Sequence, residues 1–492
     1  MREARGSERR RRDVRHSRRR WVRTGLPVVL VLGLLGAGVG AYRYDWGPRY
    51  LPGLAADPVT EPEQVLPPAG LDLPEWSEPA PVAAPVDTAG TVDPSRVAAA
   101  LRADLADPDL GPHVVGAVSS LTPGSATWTS PDGTYVPAST TKLLTLGAAL
   151  ATLGPDHRFT TTVVRGDRPR EVVLVGGGDP LLASQPLTVA EQGTAYPERA
   201  DVSTLAVATA EALGGSGRVR VRYDDTLFTG PSDNPAWRRD YVPDDVVSPI
   251  TALMVDGGRE DDGDTRADDP SLAAARAFAD ALAAAGLTVA GTPEPATAAP
   301  GAEELASVQG APLADVVERV LDVSDNEAAE VLGHQVGLAV SGTGSFEAGA
   351  AGVVSTLQDL GIDLSGDTVL DGSGLSRRNR VTTSSMLALL QLAAGPGHDD
   401  LRSLVTGMPV AGWSGSLTYR FDDGPAVARG LVRAKTGTLT GVHALAGVVV
   451  GRDGLPMVFV LGADRVAAED GYLAQDALDR AAGRLATCRC SA

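Results

Sequence analysis

Eleven arginines crowd the first 23 residues against three acids, and the next 19 residues, Thr24 to Tyr42, carry no charge. An uncharged run of that length reaches the lower edge of a bilayer span, about 20 apolar residues. The arginine flank fits an N-in orientation, with residues 1–23 as a basic cytoplasmic n-region. Val39-Gly40-Ala41 also reads as a small-residue cleavage site, so residues 24–42 are a signal anchor or a signal peptide. A buried core helix is the competing reading, and the arginine cluster disfavours it. Residues 43–92 hold recurrent proline from Pro48 to Pro85 without helical or strand period. Such segments are stiff and extended, and they lift a domain off a surface. The body is therefore expected in the cell envelope, outside the cytoplasm, anchored to the membrane by the N-terminal segment or released after cleavage.

The chain has 492 residues, which suggests two or three domains. Its net charge of −19 argues against nucleic acid as a partner, because a phosphate ligand needs a basic face. At 43% hydrophobic and 21% charged, the body has enough apolar surface to bury a core. Cys488 and Cys490 are the two cysteines. Neighbours one residue apart pair only with strain. No disulfide framework is expected, and residues 487–492 read as an unstructured tail.

Periodicity divides the body. Helices are expected at Asp93–Ala106 and Pro137–Leu153, with a strand at His113–Leu121 and Thr127–Thr129 pairing back to it. From 158 to 305 the character changes to short β runs, such as Thr160–Val164 and Glu171–Val175, with Ala-rich helices at Ala206–Leu213 and Leu272–Ala285. Gly257–Asp269 reads as a solvated acidic loop, and Gly176–Pro180 as a tight turn. Helical pattern returns at Leu313, continues from Asn326, and recurs at Ser384–Ala394. Three strands then follow at Leu431–Thr438, Val442–Val450 and Met457–Leu461, with a last helix at Glu469–Leu485. Helices at both ends around a meander of strands indicate an α+β domain.

Lysine occurs only at Lys142 and Lys435, among 41 arginines. Arg stays charged, whereas a buried Lys can lose its proton and act as a base. Lys142 closes a Ser-x-x-Lys, Ser139-Thr140-Thr141-Lys142. At i and i+3 on a helix, hydroxyl and amine share a face, and the amine can activate the hydroxyl as a nucleophile. Taken alone, this pattern is common on surface helices. Ser324-Asp325-Asn326 lies between two helices and can bond a lysine and a substrate amide, or serve as an ordinary N-cap. Lys435-Thr436-Gly437-Thr438 sits on a strand where Gly allows close backbone approach and Lys and Thr can hold a carboxylate. A surface strand with one solvated Lys is the bland alternative.

In this order the three motifs resemble those of the penicillin-binding proteins and serine β-lactamases. Asp371–Ser376, Asn379–Thr382, Pro409–Gly412, Gly415–Leu417 and the Gly177–Pro180 turn are similar to the D-alanyl-D-alanine carboxypeptidase/endopeptidase branch, peptidase family S13, class C low-molecular-mass type. The resemblance implies a penicillin-binding (β-lactamase-like) fold, an antiparallel sheet flanked by helices, split into 93–157 and 306–486 around an inserted domain at 158–305. It implies a serine peptidase acting on peptidoglycan stem peptides, inhibited by β-lactams, with no metal or cofactor. Ser139 is then the nucleophile, Lys142 the base and Ser324 the proton relay. Asn326 orients the Lys142 amine, and Lys435 adds positive charge that helps to depress the Lys142 pKa. Thr436, Gly437 and Thr438 receive the substrate carboxylate, and the amides of Ser139 and Thr438 form the oxyanion hole. A β-lactamase needs an extra Glu four residues before an Asn, and Gly230, Asp322 and Leu375 stand there instead. A bifunctional synthase needs an upstream domain for which 43–92 leaves no room. A non-catalytic envelope sensor would keep the fold without the full motif set.

Overall fold

The computed structural model describes residues 90–130, 133–188, 196–260, 263 and 265–492; the expected n-region, the uncharged run and nearly all of the proline-rich segment lie outside them. Helix α1 (Pro94–Leu105) starts at Asp93, whose carboxylate accepts from the amides of Ser95 and Arg96. A hairpin follows, β1 (Val114–Ser120) and β2 (Thr127–Thr129). Helix α2 (Thr141–Leu153) is buried from Thr141 to Leu150. The chain then makes β3 (Thr160–Arg165), β4 (Glu171–Val175), α3 (Val202–Ala212), β5 (Gly217–Asp224), α4 (Pro270–Ala284), β6 (Leu287–Val289) and β7 (Glu304–Gln309). Helices α5 (Leu313–Val323), α6 (Asn326–Ser341), α7 (Phe346–Asp359) and α8 (Thr383–Ala394) come next. Strands β8 (Val432–Leu439), β9 (Val442–Val450) and β10 (Pro456–Ala463) and helix α9 (Gly471–Thr487) complete it.

The first sheet runs β8-β9-β10-β1-β2, antiparallel throughout. Strand β1 from the start of the body pairs with β10 near its end, Val114 facing Ala463 and Ser120 facing Met457. Everything between therefore departs from and returns to one sheet. Successive residues of β10 point to opposite faces. Val458 and Val460 pack with the α2, α5, α6 and α8 side chains, while Met457, Phe459 and Leu461 pack with α1 and α9. Burial on both faces explains the unbroken apolar strand sequence. The result is the α+β arrangement expected, one antiparallel sheet between two helical layers.

The second sheet runs β6-β5-β4-β3-β7 around its own core, including Leu174, Leu205, Val221 and Phe278. Strands β4, β5 and β6 pair in parallel, and parallel neighbours need crossovers, which α3 and α4 supply. Strand β7 carries this sheet to Gln309, past the boundary read at 305. Residues near 228–254 pack elsewhere: Trp237, Val247, Ile250 and Met254 meet Val331, Phe346 and Leu375.

Two expectations are corrected. Cys488 and Cys490 are disulfide-bonded, with Cα atoms 5.2 Å apart, inside the usual range of about 4.4–6.8 Å. Their segment is not a loose tail. Asp93 donates its amide to the Cys490 carbonyl at 2.7 Å, Val92 bridges Ser491, and Cys490 is fully buried. Backbone pairing with the start of the body sets the local conformation that spacing alone could not supply. Nor is Gly257–Asp269 wholly solvated: Gly258 and Ala267 are buried, and Arg266 reaches Glu327 of α6 at 3.1 Å.

Candidate active site

Ser139 lies in a short helical turn, Ala138–Thr140, immediately before α2. Ala138 has φ 47°, a left-handed conformation that L-residues adopt at a cost of about 1–3 kcal/mol. Two glycines from distant segments crowd this turn. A Cβ on Gly374 would stand 1.8 Å from the Ala138 carbonyl oxygen, and one on Gly437 would stand 2.5 Å from that of Pro137. The Asp371–Ser376 loop and the Lys-Thr-Gly strand thus press against the serine from two sides.

Lys142 is fully buried beneath Ser139. Its Nζ lies 3.1 Å from Ser139 Oγ, 2.7 Å from Asn326 Oδ1 and 2.8 Å from the Ser373 carbonyl. Burial pushes its pKa down to about 8, against the opposing pull of Glu330, Asp325, Asp371 and Glu327.

Ser324 ends α5 in a left-handed conformation (φ 60°, ψ 42°). The capping role falls to Asp325, whose carboxylate accepts from the Ala328 amide at 2.9 Å. That frees its neighbours. Asn326 turns to Lys142, while Ser324 Oγ accepts from Lys435 Nζ at 2.8 Å. Lys435 also donates to the Thr436 carbonyl at 2.9 Å. It too is fully buried, and its pKa is depressed by burial and then by the charge of Lys142, with Asp322 opposing. Burial is the leading cause of the depression at both lysines, and the repulsion between the two cations acts against protonation of either. Thr436 Oγ1 is 2.9 Å from Ser416 Oγ, Gly437 is buried, and Thr438 is exposed at the strand's end.

Several residues at the site carry no role that sequence reasoning assigned. Glu330 is fully within the protein and accepts from the amides of Gly372 and Ser373 at 3.0 and 2.8 Å. Burial raises its pKa to about 8. It thereby holds the loop whose Ser373 carbonyl meets Lys142. Asp371 anchors the same loop, accepting from Trp237 Nε1, Asn379 Nδ2 and the amides of Gly374 and Ser376. Glu330 stands four residues after Asn326, so helical spacing is the available signal; the Ser373 carbonyl gives none. A second Ser-Asp-Asn, Ser232–Asn234, plays no part in this cluster, since Asn234 Nδ2 bonds the Leu370 carbonyl at 2.9 Å.

The pattern has relatives. The model of the D-Ala-D-Ala carboxypeptidase 3 (S13) family matches residues 97–261 and 259–485. A carboxypeptidase of Mycobacterium tuberculosis is 37% identical over 420 residues, covering 82% of this chain and 87% of the relative. The carboxypeptidase DacB of Mycolicibacterium smegmatis is 36% identical over 422 residues, covering 83% and 88%. A D-alanyl-D-alanine carboxypeptidase of an Actinomadura species is 30% identical over 438 residues, covering 72% and 78%. The fold is that of penicillin-binding protein 4 from Haemophilus influenzae, with a TM-score of 0.61 at 21% identity over 79% of this chain and 98% of that one. The chain belongs to the D-Ala-D-Ala carboxypeptidase S13 family.

Proposed function

We infer that this chain is a serine-type D-alanyl-D-alanine carboxypeptidase that acts on peptidoglycan stem peptides through an acyl-enzyme and binds β-lactams at the same serine. The observation that carries the reading is the 3.1 Å contact between Ser139 Oγ and the buried Lys142 amine, within reach for proton transfer. An amine pushed down to about 8 is neutral in a useful fraction near neutral pH.

Ser139 attacks the carbonyl of the penultimate D-alanine, and Lys142 takes its proton. Asn326 and the Ser373 carbonyl hold Lys142 in line through the two bonds described. The tetrahedral oxyanion is held by the amides of Ser139 and Thr438, each such donor being worth about 3 kcal/mol. As the C–N bond breaks, Ser324 relays to the departing amine the proton that Lys142 took from Ser139, which leaves Lys142 neutral again, while Lys435 holds the Ser324 hydroxyl in place. Thr436 and Thr438, at the edge of β8, receive the terminal carboxylate beside the Lys435 charge. Water then attacks the acyl-enzyme, Lys142 accepting its proton, and Ser139 is restored.

The test is turnover of a D-Ala-D-Ala-terminated peptide together with labelling by a fluorescent penicillin. The parent chain turns the peptide over and takes the label; Ser139→Ala does neither. Labelling that persists in Ser139→Ala moves the nucleophile elsewhere.

The same reading takes residues 43–492 to the outer side of the cytoplasmic membrane. The arginine cluster and uncharged run support it. Protease added to intact cells is expected to degrade the body, and a body protected in the cytosol would refute export.

A further inference from the structure

Three segments meet behind the serine turn. Asp464 follows the last residue of β10, and its side chain is 8% exposed. Its Oδ2 accepts from the Val136 amide at 2.9 Å, and its Oδ1 lies 2.5 Å from His113 Nδ1. An ionised carboxylate only accepts, so that ring nitrogen donates. His113 immediately precedes β1, and Val114 at the head of β1 pairs with Ala463. One carboxylate thus ties the first strand of the body, its last strand and the approach to Ser139.

That approach is strained. Val136 is followed by Pro137, which has no N–H, and by Ala138 at φ 47°. Such a residue persists only where its surroundings over-determine it. Inside the turn the bonds are local: the hydroxyls of Thr140 and Thr141 donate to the carbonyls of Pro137 and Ala138, both at 2.8 Å. At the Val136 amide a distant segment takes hold of the backbone. The same segment also reaches the Lys-Thr-Gly strand. Two residues after Asp464, Val466 donates its amide to the Gly441 carbonyl at 3.1 Å. Gly441 lies in the β8–β9 turn, three residues after Thr438, and Val136 stands three residues before Ser139. Val136, Ala138 and Val442 form a small buried cluster of their own, with Leu439 packed against it. Asp464–Val466 is therefore bonded at equal remove in sequence from the two amides assigned to the oxyanion hole.

We propose that His113 and Asp464 are positioning residues that set the spacing between the Ser139 and Thr438 amides, acting through the backbone rather than on substrate. The proposal rests on the carboxypeptidase reading, which supplies the oxyanion role of those amides. Donors of this kind act by being fixed in advance where charge develops. A slack tie at Val136 lets the strained turn relax and moves one donor away from the other. The ground-state complex, which carries no oxyanion, loses little; the tetrahedral state loses most.

The experiment separates binding from acylation in the full chain, with every variant assayed well below its melting temperature. In Asp464→Ala the Val136 amide loses its acceptor. The saturating acylation rate with a chromogenic β-lactam then falls about 10- to 100-fold, while Kd of the non-covalent complex stays within about twofold. Asp464→Asn keeps an acceptor of the same shape and recovers the rate to within about threefold. A peptide boronic acid supplies the second readout. Ser139 Oγ bonds to boron, its proton passes to Lys142, and the tetrahedral boronate places an oxygen where the oxyanion forms. Affinity for it falls in Asp464→Ala by the same factor as the rate, as expected of a transition-state analogue. Parent-like acylation in Asp464→Ala overturns the proposal. So does a loss shared equally by Kd and rate, a loss that Asp464→Asn does not recover, or a slower rate with unchanged boronate affinity. Should Asp464→Ala fail to fold, His113→Gln carries the test, because the Val136 bond stays in place. Rate and boronate affinity are then expected to fall together by about threefold, and no change in either overturns the proposal. A parent that neither acylates nor binds the boronate defeats the carboxypeptidase reading and this proposal with it; an active parent matched by its variants defeats the proposal alone.

Discussion

Lys142 and Lys435 are equally buried, yet their surroundings differ in kind. Lys142 meets three oxygens contributed by three separate segments and lies in the field of four carboxyl groups. Lys435 meets one hydroxyl and a carbonyl of its own strand, with Asp322 as its single opposing charge. Burial depresses the pKa of both amines, so pKa by itself does not choose which of them is the base. Geometry decides. Lys142 touches the nucleophilic hydroxyl, whereas Lys435 touches Ser324. A base must first be within reach of the proton it takes, and its pKa matters after that. Desolvation alone thus marks both lysines as functional, and contact assigns their different tasks.

Substituting each lysine by arginine gives the largest expected effect. Lys142→Arg keeps the charge but cannot release a proton near neutral pH. Acylation is expected to fall by about 10²–10⁴-fold, the usual cost of a lost general base, with further loss from misplacing Ser139. Lys435→Arg keeps the positive charge beside Ser324 and Thr436, so its acylation rate should fall less. Stopped-flow acylation by a chromogenic β-lactam measures both, with folding checked by thermal melt. Should Lys435→Arg prove the slower variant, the two roles exchange.

A smaller effect separates the acids around Lys142 from those around Lys435. Glu330 raises the Lys142 pKa by its charge and orders the loop supplying the Ser373 carbonyl. Glu330→Gln removes the charge that Glu330 gains as the pH rises through its own raised value of about 8, and keeps the shape. The Lys142 pKa should then fall below about 8, so the acid limb of the acylation profile moves to lower pH. The rate plateau should drop by about tenfold, because the amide nitrogen of Gln cannot accept from one of the two backbone N–H groups, leaving a buried donor unmet at about 1–3 kcal/mol. A profile that keeps its midpoint while losing only amplitude would make Glu330 a loop anchor without influence on the base.

The two lysines are also the most legible part of the chain. A composition that uses arginine everywhere else sets them apart, and the motif order assigns both to one cleft. Elements of strong period, such as α1, β9 and α9, are readable because apolar spacing matches their burial. Helix α7 is not. Gly349 and Gly352 interrupt its sequence, and glycine costs about 1 kcal/mol in a helix. Here it permits contact: a Cβ on Gly349 would stand 2.5 Å from the Gly333 carbonyl oxygen of α6. Strand β5 alternates Arg218, Arg220 and Arg222 with buried Val219, Val221 and Tyr223, a period of two that the sequence does carry and that the expected elements omit. The parallel order of the second sheet depends on which strands the crossover helices bring together, which no local pattern encodes. The Cys488–Cys490 bond escapes the spacing rule for a related reason. That rule treats the tail in isolation, and the pairing with Val92 and Asp93 is nonlocal.

The smallest effect reads the burial of the two lysines as stability. Lys142 releases its proton near pH 8 in the folded chain but near 10.5 once unfolded. Between these values the unfolded state binds more protons, so stability rises with pH through this window. Lys435 acts in the same direction, because burial lowers its folded pKa as well. Tyr135 works against both above its ordinary value of 10.0, since burial raises its pKa and the unfolded chain ionises first. The useful range is therefore pH 8 to 10. Each lysine adds a slope of at most about 1.4 kcal/mol per pH unit there. Melting temperatures of the parent, Lys142→Met and Lys435→Met across that range should show a rise in the parent. It should be flattened in Lys142→Met and in Lys435→Met alike, because each lysine is neutral in the folded chain while still protonated in the unfolded one over that range. Equal slopes in all three proteins would mean that neither amine is held neutral by the fold, and the base assigned to Ser139 would then lack its physical cause.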